Sequence, residues 1–152
     1  MKIIAHRGLI WGPNDPQLEN EPHHITQLLQ SGWHVEVDVR REKNDWYLGH
    51  DHAQYKVDLS FLLQPHLWIH AKDTPSAHLL QSVWRTDSRI NFFWHESDTR
   101  VLTSQGYWWT QPGHDLIANS VAVLPETHVN DLIDCVKWNC AAICTDWGSQ
   151  LR

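Results

Sequence analysis

The sequence predicts a single α/β domain built as a compact β/α barrel, closed or incomplete, of seven or eight mostly parallel strands. Short apolar and β-branched runs alternate with helical patterns along the 152 residues, and no long antiparallel hairpin pattern interrupts them. Histidines, carboxylates and cationic residues collect just past the C-terminal ends of those runs, where barrels place their sites. The length supports one core but falls short of the about 250 residues of a full eight-fold barrel, so the barrel is expected to be small.

Taken in order, Lys2-Ile3-Ile4-Ala5 reads as a strand that stops at His6-Arg7-Gly8, where glycine permits a tight turn. A loop rich in Gly, Pro and Asn occupies residues 12–16. A helix follows over residues 25–29, with Asn20 as its cap and Gly32 as its stop. Residues 31–40 form the core strand. After a polar turn at Asn44-Asp45, residues 46–49 lead as a short strand to His50-Asp51. Residues 59–63 read as a helical turn, 66–72 as a strand, 76–85 as a helix and 90–94 as a strand ending in His95-Glu96-Ser97-Asp98. Strands over 107–110, 120–124 and 141–145, with a helix over 129–138, complete the pattern.

The core strand carries the chemistry. Residues i and i+2 of a strand share a face, so Glu36 and Asp38 stand side by side while Val35, Val37 and Val39 face the other way. Two carboxylates crowded on one buried face repel each other and resist desolvation; a divalent cation removes that cost, and oxygen ligands suit Mg²⁺ or Ca²⁺. An exposed acidic strand face is the ordinary reading of such a pair taken alone. Here His6, Arg7 and His50 also lie at strand ends, and His70 and Lys72 share one face of the 66–72 strand.

Ile4-Ala5-His6-Arg7-Gly8, Glu19-Asn20, Glu36-Val37-Asp38-Val39 and Gly49-His50-Asp51 together resemble the glycerophosphodiester phosphodiesterase family, whose pattern runs HRG, EN, E-x-D-V, HD. Ile69-His70-Ala71-Lys72 and Ile143-Cys144-Thr145-Asp146 resemble two further family strands, with His70 standing where the family usually carries a third acidic ligand. The connection from Asp51 to His66 is also brief where the family often carries an insertion that shapes a glycerol pocket. The resemblance implies a TIM-like barrel, a metal-dependent phosphodiester hydrolase and a small glycerophosphodiester-like substrate. It also implies His6 and His50 as the acid/base pair. Arg7 suits the phosphate through its fork, Lys72 adds a point charge, and Trp11 beside the HRG turn is placed to touch substrate. Glu36 and Asp38 would hold the metal, with His70 and Glu96 as candidates for the remaining position. A nitrogen ligand at His70 would weaken Ca²⁺ and favour Mn²⁺, Co²⁺ or Zn²⁺.

Two other classes remain open: a non-catalytic phosphoryl-ligand binder, and a transition-metal hydrolase using His70, His95 and Glu96. A formal charge of −6 with no basic stripe argues against a nucleic-acid partner. No apolar run approaches the about 20 residues of a membrane helix, so a cytoplasmic protein without membrane insertion is expected. Cys135, Cys140 and Cys144 lack zinc-site spacing and are expected as reduced core thiols. Trp68, Trp94, Trp108 and Trp109 are expected to fill and pack the barrel.

Overall fold

The computed structural model describes residues 1–152 as one curled sheet with helices packed mainly on its first half. Its parallel body comprises β1 (Lys2–Ala5), β2 (His34–Glu42), β5 (Leu67–Ala71), β6 (Phe92–Trp94), β8 (Trp108–Thr110), β9 (Ser120–Val123) and β10 (Ala142–Thr145). These pair in the spatial order β6-β5-β2-β1-β10-β9-β8, every neighbour parallel. Antiparallel pieces complete a mixed sheet: β3 (Asp45–Leu48) pairs with the far end of β2 and β4 (Tyr55–Val57) with β3, while β7 (Arg100–Leu102) lies along β8. The curl brings the region of β7 to β6, where the Phe92 N–H donates to Ser104 Oγ at 2.9 Å and the Ser104 N–H donates to the Phe92 carbonyl at 2.8 Å. The architecture is compatible with an incomplete barrel.

Strand alternation sorts the residues into an outer and an inner layer. Val35, Val37 and Val39 of β2 and Ile69 and Ala71 of β5 face outward, where they pack with Ile25, Leu28 and Leu29 of α1 (Pro22–Gln30), Leu62 of α2 (Leu59–Leu62) and Leu80 of α3 (Thr74–Thr86). Inward, Ile4, Trp68, Phe93, Trp109, Val121, Val123 and Cys144 form an aromatic-rich plug, with the Phe93 and Trp109 rings 4.4 Å apart. The alternating pattern of β2 thus does what its sequence requires: valines outside under the helices, Glu36 and Asp38 inside.

Several expectations change. The 46–49 strand is antiparallel to β2, joined through Lys43 (φ 48°) and Asn44 (φ 68°), the paired left-handed conformation of a tight hairpin turn. No helix covers 129–138; residues Leu132–Lys137 form 3₁₀ turns, and a small outer cluster of Ala122, Leu132, Cys135 and Ile143 takes its place. The connection 111–119 from β8 to β9 also lacks a helix, being shorter than the dozen or so residues a parallel crossover ordinarily needs. Asn20 does not cap α1. Glu21 does, its carboxylate accepting from the His23 and His24 N–H groups, while Asn20 adopts φ 57° and turns inward. Among the tryptophans, Trp68 and Trp109 are buried in the plug, but Trp94 is exposed. All three cysteines are unpaired; Cys135 and Cys144 are buried, and Cys140 is half-buried against Met1. No helix is long and apolar enough to cross a membrane.

Candidate active site

The site lies at the C-terminal ends of the parallel strands. β2 carries Glu36 and Asp38 on its inward face, and parallel register sets His70 of β5 directly beside Asp38. Both carboxylates are almost completely buried. One ligand atom each from Glu36, Asp38 and His70 can be chosen so that all three lie within 4.8 Å of one another. His70 Nδ1 stands 3.3 Å from Asp38 Oδ1 and 3.9 Å from Glu36 Oε1. The second distance exceeds hydrogen-bond reach.

The chain then folds its other polar fragments onto this pair. Past β1, Arg7 adopts φ 51°, which aims its backbone N–H at Glu36 Oε2 (3.1 Å). Its guanidinium lies between Glu19 (3.0 Å) and Asp38 (3.2 Å). Asn20 binds Asp38 twice: its amide donates to Oδ2 at 3.0 Å and its side-chain oxygen accepts the Asp38 N–H at 2.9 Å. The Asn20 N–H in turn donates to the Arg7 carbonyl at 2.9 Å. The Gly49 N–H donates to the Asp38 carbonyl at 3.0 Å, bringing the residue before His50 to the same strand. Glycine is required at 49, since φ is 147° and a Cβ would sit 2.1 Å from the His52 carbonyl.

The titration states follow from this crowding. Burial and the neighbouring Asp38 charge push the Glu36 carboxyl upward. Burial would raise Asp38 as well, but His70, Arg7 and Lys72, whose Nζ is 3.7 Å away, together hold it below the usual carboxylate range. Burial pushes His70 down to about 4 against the opposing pull of Asp38, so the ring is neutral near pH 7. His70 also stacks flat on Phe93 (4.8 Å) and His95 (4.6 Å), both on the β6 side of its ring, and these contacts fix the ring plane.

His6 leaves β1 with its Nδ1 2.7 Å from Asp146 Oδ1, at the exit of β10. Burial lowers its pKa, but the Asp146 hydrogen bond and the charges of Glu36 and Asp146 outweigh burial, and the net shift is upward. With Nδ1 engaged, Nε2 is the nitrogen left for proton transfer. Asp146 is itself held by Glu126, whose Oε1 accepts the Asp146 N–H (3.0 Å) and the Thr145 hydroxyl (2.8 Å). Neither Asp146 nor Glu126 is singled out by the sequence as part of a site. Only the likeness of 143–146 to a family strand points near them.

His50 is more open, its side chain 37% exposed against 13% for His6, with Nδ1 2.7 Å from Asp51 Oδ1. Arg40 bonds the carbonyls of Gly49 and His50 and so holds this turn. Trp11 is 71% exposed. The next residue, Gly12, ties its loop to the site by donating to the Asp146 carbonyl at 2.8 Å. A Cβ at Gly12 would lie 2.4 Å from the Trp147 ring, so only glycine allows this approach. Glu96 is exposed on the turn after β6 and lies outside the three-residue ligand group; His95 reaches the site through its stack on His70. A cavity of about 470 Å³ lies apart from these residues, lined by Gln111, His114, His128 and Trp138 among others.

The donor set fits a cation. Two nearly buried carboxylates and a neutral imidazole nitrogen converge, and Glu36 Oε1 has no hydrogen-bond donor within reach. Two further cationic side chains, Arg7 and Lys72, border the same carboxylates. The chain gives no significant match to any protein-family model, curated protein or solved structure.

Proposed function

We propose that this end of the sheet is the active site of a metal-assisted phosphodiester hydrolase acting on small glycerophosphodiester-like molecules, a short relative of the glycerophosphodiester phosphodiesterases with a reduced TIM-like barrel. The observation that carries the reading is the interlock of four separate motif fragments. Residues 6–8, 19–20, 36–38 and 49–51 are joined by direct hydrogen bonds or ion pairs that converge on Glu36 and Asp38. A structural ion-pair network needs no such convergence of a buried histidine and two cations on one carboxylate pair.

In this reading Glu36, Asp38 and His70 hold the divalent ion, which when bound supplies a Lewis acid for a phosphoryl oxygen. Arg7 and Lys72 bind the anionic oxygens, Arg7 through its fork and Lys72 as a point charge. His6, oriented by Asp146, exchanges a proton at Nε2, and His50 carries the complementary proton at the opposite, more solvated side. Trp11 borders the alcohol groups. The test is hydrolysis of glycerophosphodiesters and a nitrophenyl phosphodiester with Mg²⁺, Ca²⁺, Mn²⁺, Co²⁺ or Zn²⁺, against a chelated control. Turnover that needs a metal and falls in His6→Ala supports the reading; metal-independent or absent turnover in folded protein removes it.

One observation favours a second reading. Arg7 and Lys72 already neutralise Asp38 from two sides, an arrangement that also suits a phosphoryl-ligand binder without catalysis. Product-free binding of an intact diester in the same assay selects it.

A further inference from the structure

The alternation that places Glu36, Asp38 and His70 inside the sheet at one end also determines what faces inward at the other. Stepping back by twos toward the strands' N-terminal ends, β1 gives Lys2, β2 gives His34, β5 is preceded by His66, β6 by Asn91 and β8 by Tyr107. These five residues line one cavity of about 320 Å³, together with Gln64, Trp68, Arg89 and Gln105 among others, and no carboxylate lines it. The volume lies at the lower end of the about 300–1,000 Å³ usual for small-molecule sites. Ile4, Trp68, Phe93 and Trp109 separate it from the carboxylate end.

The polar groups of this cavity have defined roles. The Trp68 indole N–H donates to His34 Nδ1 at 3.1 Å. An indole nitrogen can only donate, so Nδ1 must be the acceptor, and the neutral ring carries its proton on Nε2. Lys2 has no acidic partner. Its ammonium lies over the Tyr107 ring and donates to the Tyr107 hydroxyl at 3.1 Å, leaving two of its three N–H donors. Arg89 contributes little free charge, because Asp87 holds it by two hydrogen bonds. Asn91 fixes the strand register with its backbone carbonyl, which accepts from the Ile69 N–H. Its side-chain Oδ1 is buried with no hydrogen-bond partner. A buried acceptor left without a donor keeps its desolvation cost unless a partner arrives. The edge-to-face contact of His34 with His66 (4.5 Å) and the tilted contact of Trp68 with Tyr107 (5.0 Å) hold the walls in place.

We propose that this N-terminal mouth of the sheet is a second binding site, for a small hydroxylated phosphate ester. Lys2 and the His34 Nε2–H take its phosphoryl oxygens, and the Asn91 Oδ1 accepts its hydroxyl. The site stands whether or not the opposite end hydrolyses a substrate.

The experiment is an NMR titration of the full chain, following the Trp68 indole N–H and the backbone amides of Lys2, His34 and Asn91. Glycerol 3-phosphate, inorganic phosphate and glycerol serve as separate probes, and sodium sulfate as the control. The expected result is saturable shifts at these positions, glycerol 3-phosphate binding several-fold more tightly than inorganic phosphate or sulfate, and glycerol alone not binding. Lys2→Gln should weaken the ester by about tenfold, the worth of one charge-assisted hydrogen bond. Asn91→Ala should bring the ester and inorganic phosphate to equal affinity, and Lys2→Arg should retain binding, which guards against a misfolded Lys2→Gln protein. Equal binding of all anions would reduce the cavity to a nonspecific cation patch and overturn the proposal. So would shifts confined to Arg7, Asp38 and His50, or no shifts in the folded wild-type chain.

Discussion

The two ends of this curled sheet are made by the same strands under the same alternation, yet they differ in what the turns add. At the N-terminal end the inward residues are almost entirely those of the strands and their flanking positions: Lys2, His34, His66, Asn91 and Tyr107. At the C-terminal end the strand residues Glu36, Asp38 and His70 are joined by groups that only the turns deliver. Arg7 at φ 51° and Asn20 at φ 57° swing a backbone N–H and a side-chain amide onto the carboxylates. Strand parity therefore supplies a face, and left-handed turn residues convert one end of that face into a constellation. A barrel end becomes chemically dense where the exiting chain can double back within a few residues.

The sharpest way to break this contrast is to compare His6→Ala with His34→Ala. Loss of an acid/base group should lower kcat by about 100-fold or more, with far-ultraviolet circular dichroism unchanged; His34→Ala should leave kcat as it is. Equal losses in both would show that the ends are not functionally distinct.

Stability gives the next test. Asn20→Ala strips Asp38 of two hydrogen bonds in a buried setting and should cost about 1–3 kcal/mol in denaturant unfolding. His34→Ala leaves only the Trp68 indole unpaired and should cost less. A costlier His34 variant would reverse the ranking of the two ends.

Metal preference sharpens the carboxylate end itself. His70→Glu should shift affinity toward Mg²⁺ and Ca²⁺ relative to Mn²⁺ and Zn²⁺ by about tenfold, measured by calorimetry, because a hard anionic ligand replaces a nitrogen. Glu96→Gln should leave affinity unchanged. A Glu96 variant that loses metal while His70→Glu keeps its preference would reassign the third ligand.

The smallest expected effect is a pH displacement in Asp146→Asn. The folded His6 pKa is raised, so its pairing with Asp146 contributes stability that is complete below about 6.5, the ordinary histidine value. That contribution is lost as pH rises through the raised value. The stability gap between wild type and Asp146→Asn should therefore close with rising pH, and the limb of the pH–rate profile set by His6 should move to lower pH in the variant. A gap that widens with pH would contradict the pairing.

How much of this was legible in one sequence depends on range. The Glu36/Asp38 pair is local, since period-two alternation in a β-branched run places both carboxylates together. The inner position of His70 follows from its parity with Lys72. Asp146 was not legible, because its partner His6 lies 140 residues away and only the curl of the sheet brings the exits of β1 and β10 together. The same holds for Glu126. Asn20 was misread for a different reason: an Asn ahead of a helix is an ordinary cap, but here Glu21 takes that task and frees the amide for Asp38. In the second half, Pro and Gly in 111–119 and the short spacing between strands gave turns where a regular barrel has helices. Periodicity over such brief segments does not separate a 3₁₀ turn from a helix.

The bridge between Phe92 and Ser104 has a consequence for how the molecule breathes. Elsewhere around the curl, neighbouring strands are held by ladders. Here five hydrogen bonds fasten the edges, and four of them run through the Ser104 and Gln105 side chains, which also donate to the Ile90 and Ser88 carbonyls. Opening this clasp parts side-chain bonds and the Phe93–Trp109 contact but leaves both flanking ladders whole, so it is a lower-energy excursion than opening a ladder. Deuterium should enter the Phe92 and Ser104 amides well before those of β1 and β10, and the sheet should flex about that line while the carboxylate pair, two ladders away through β5 and five through β10, keeps its geometry.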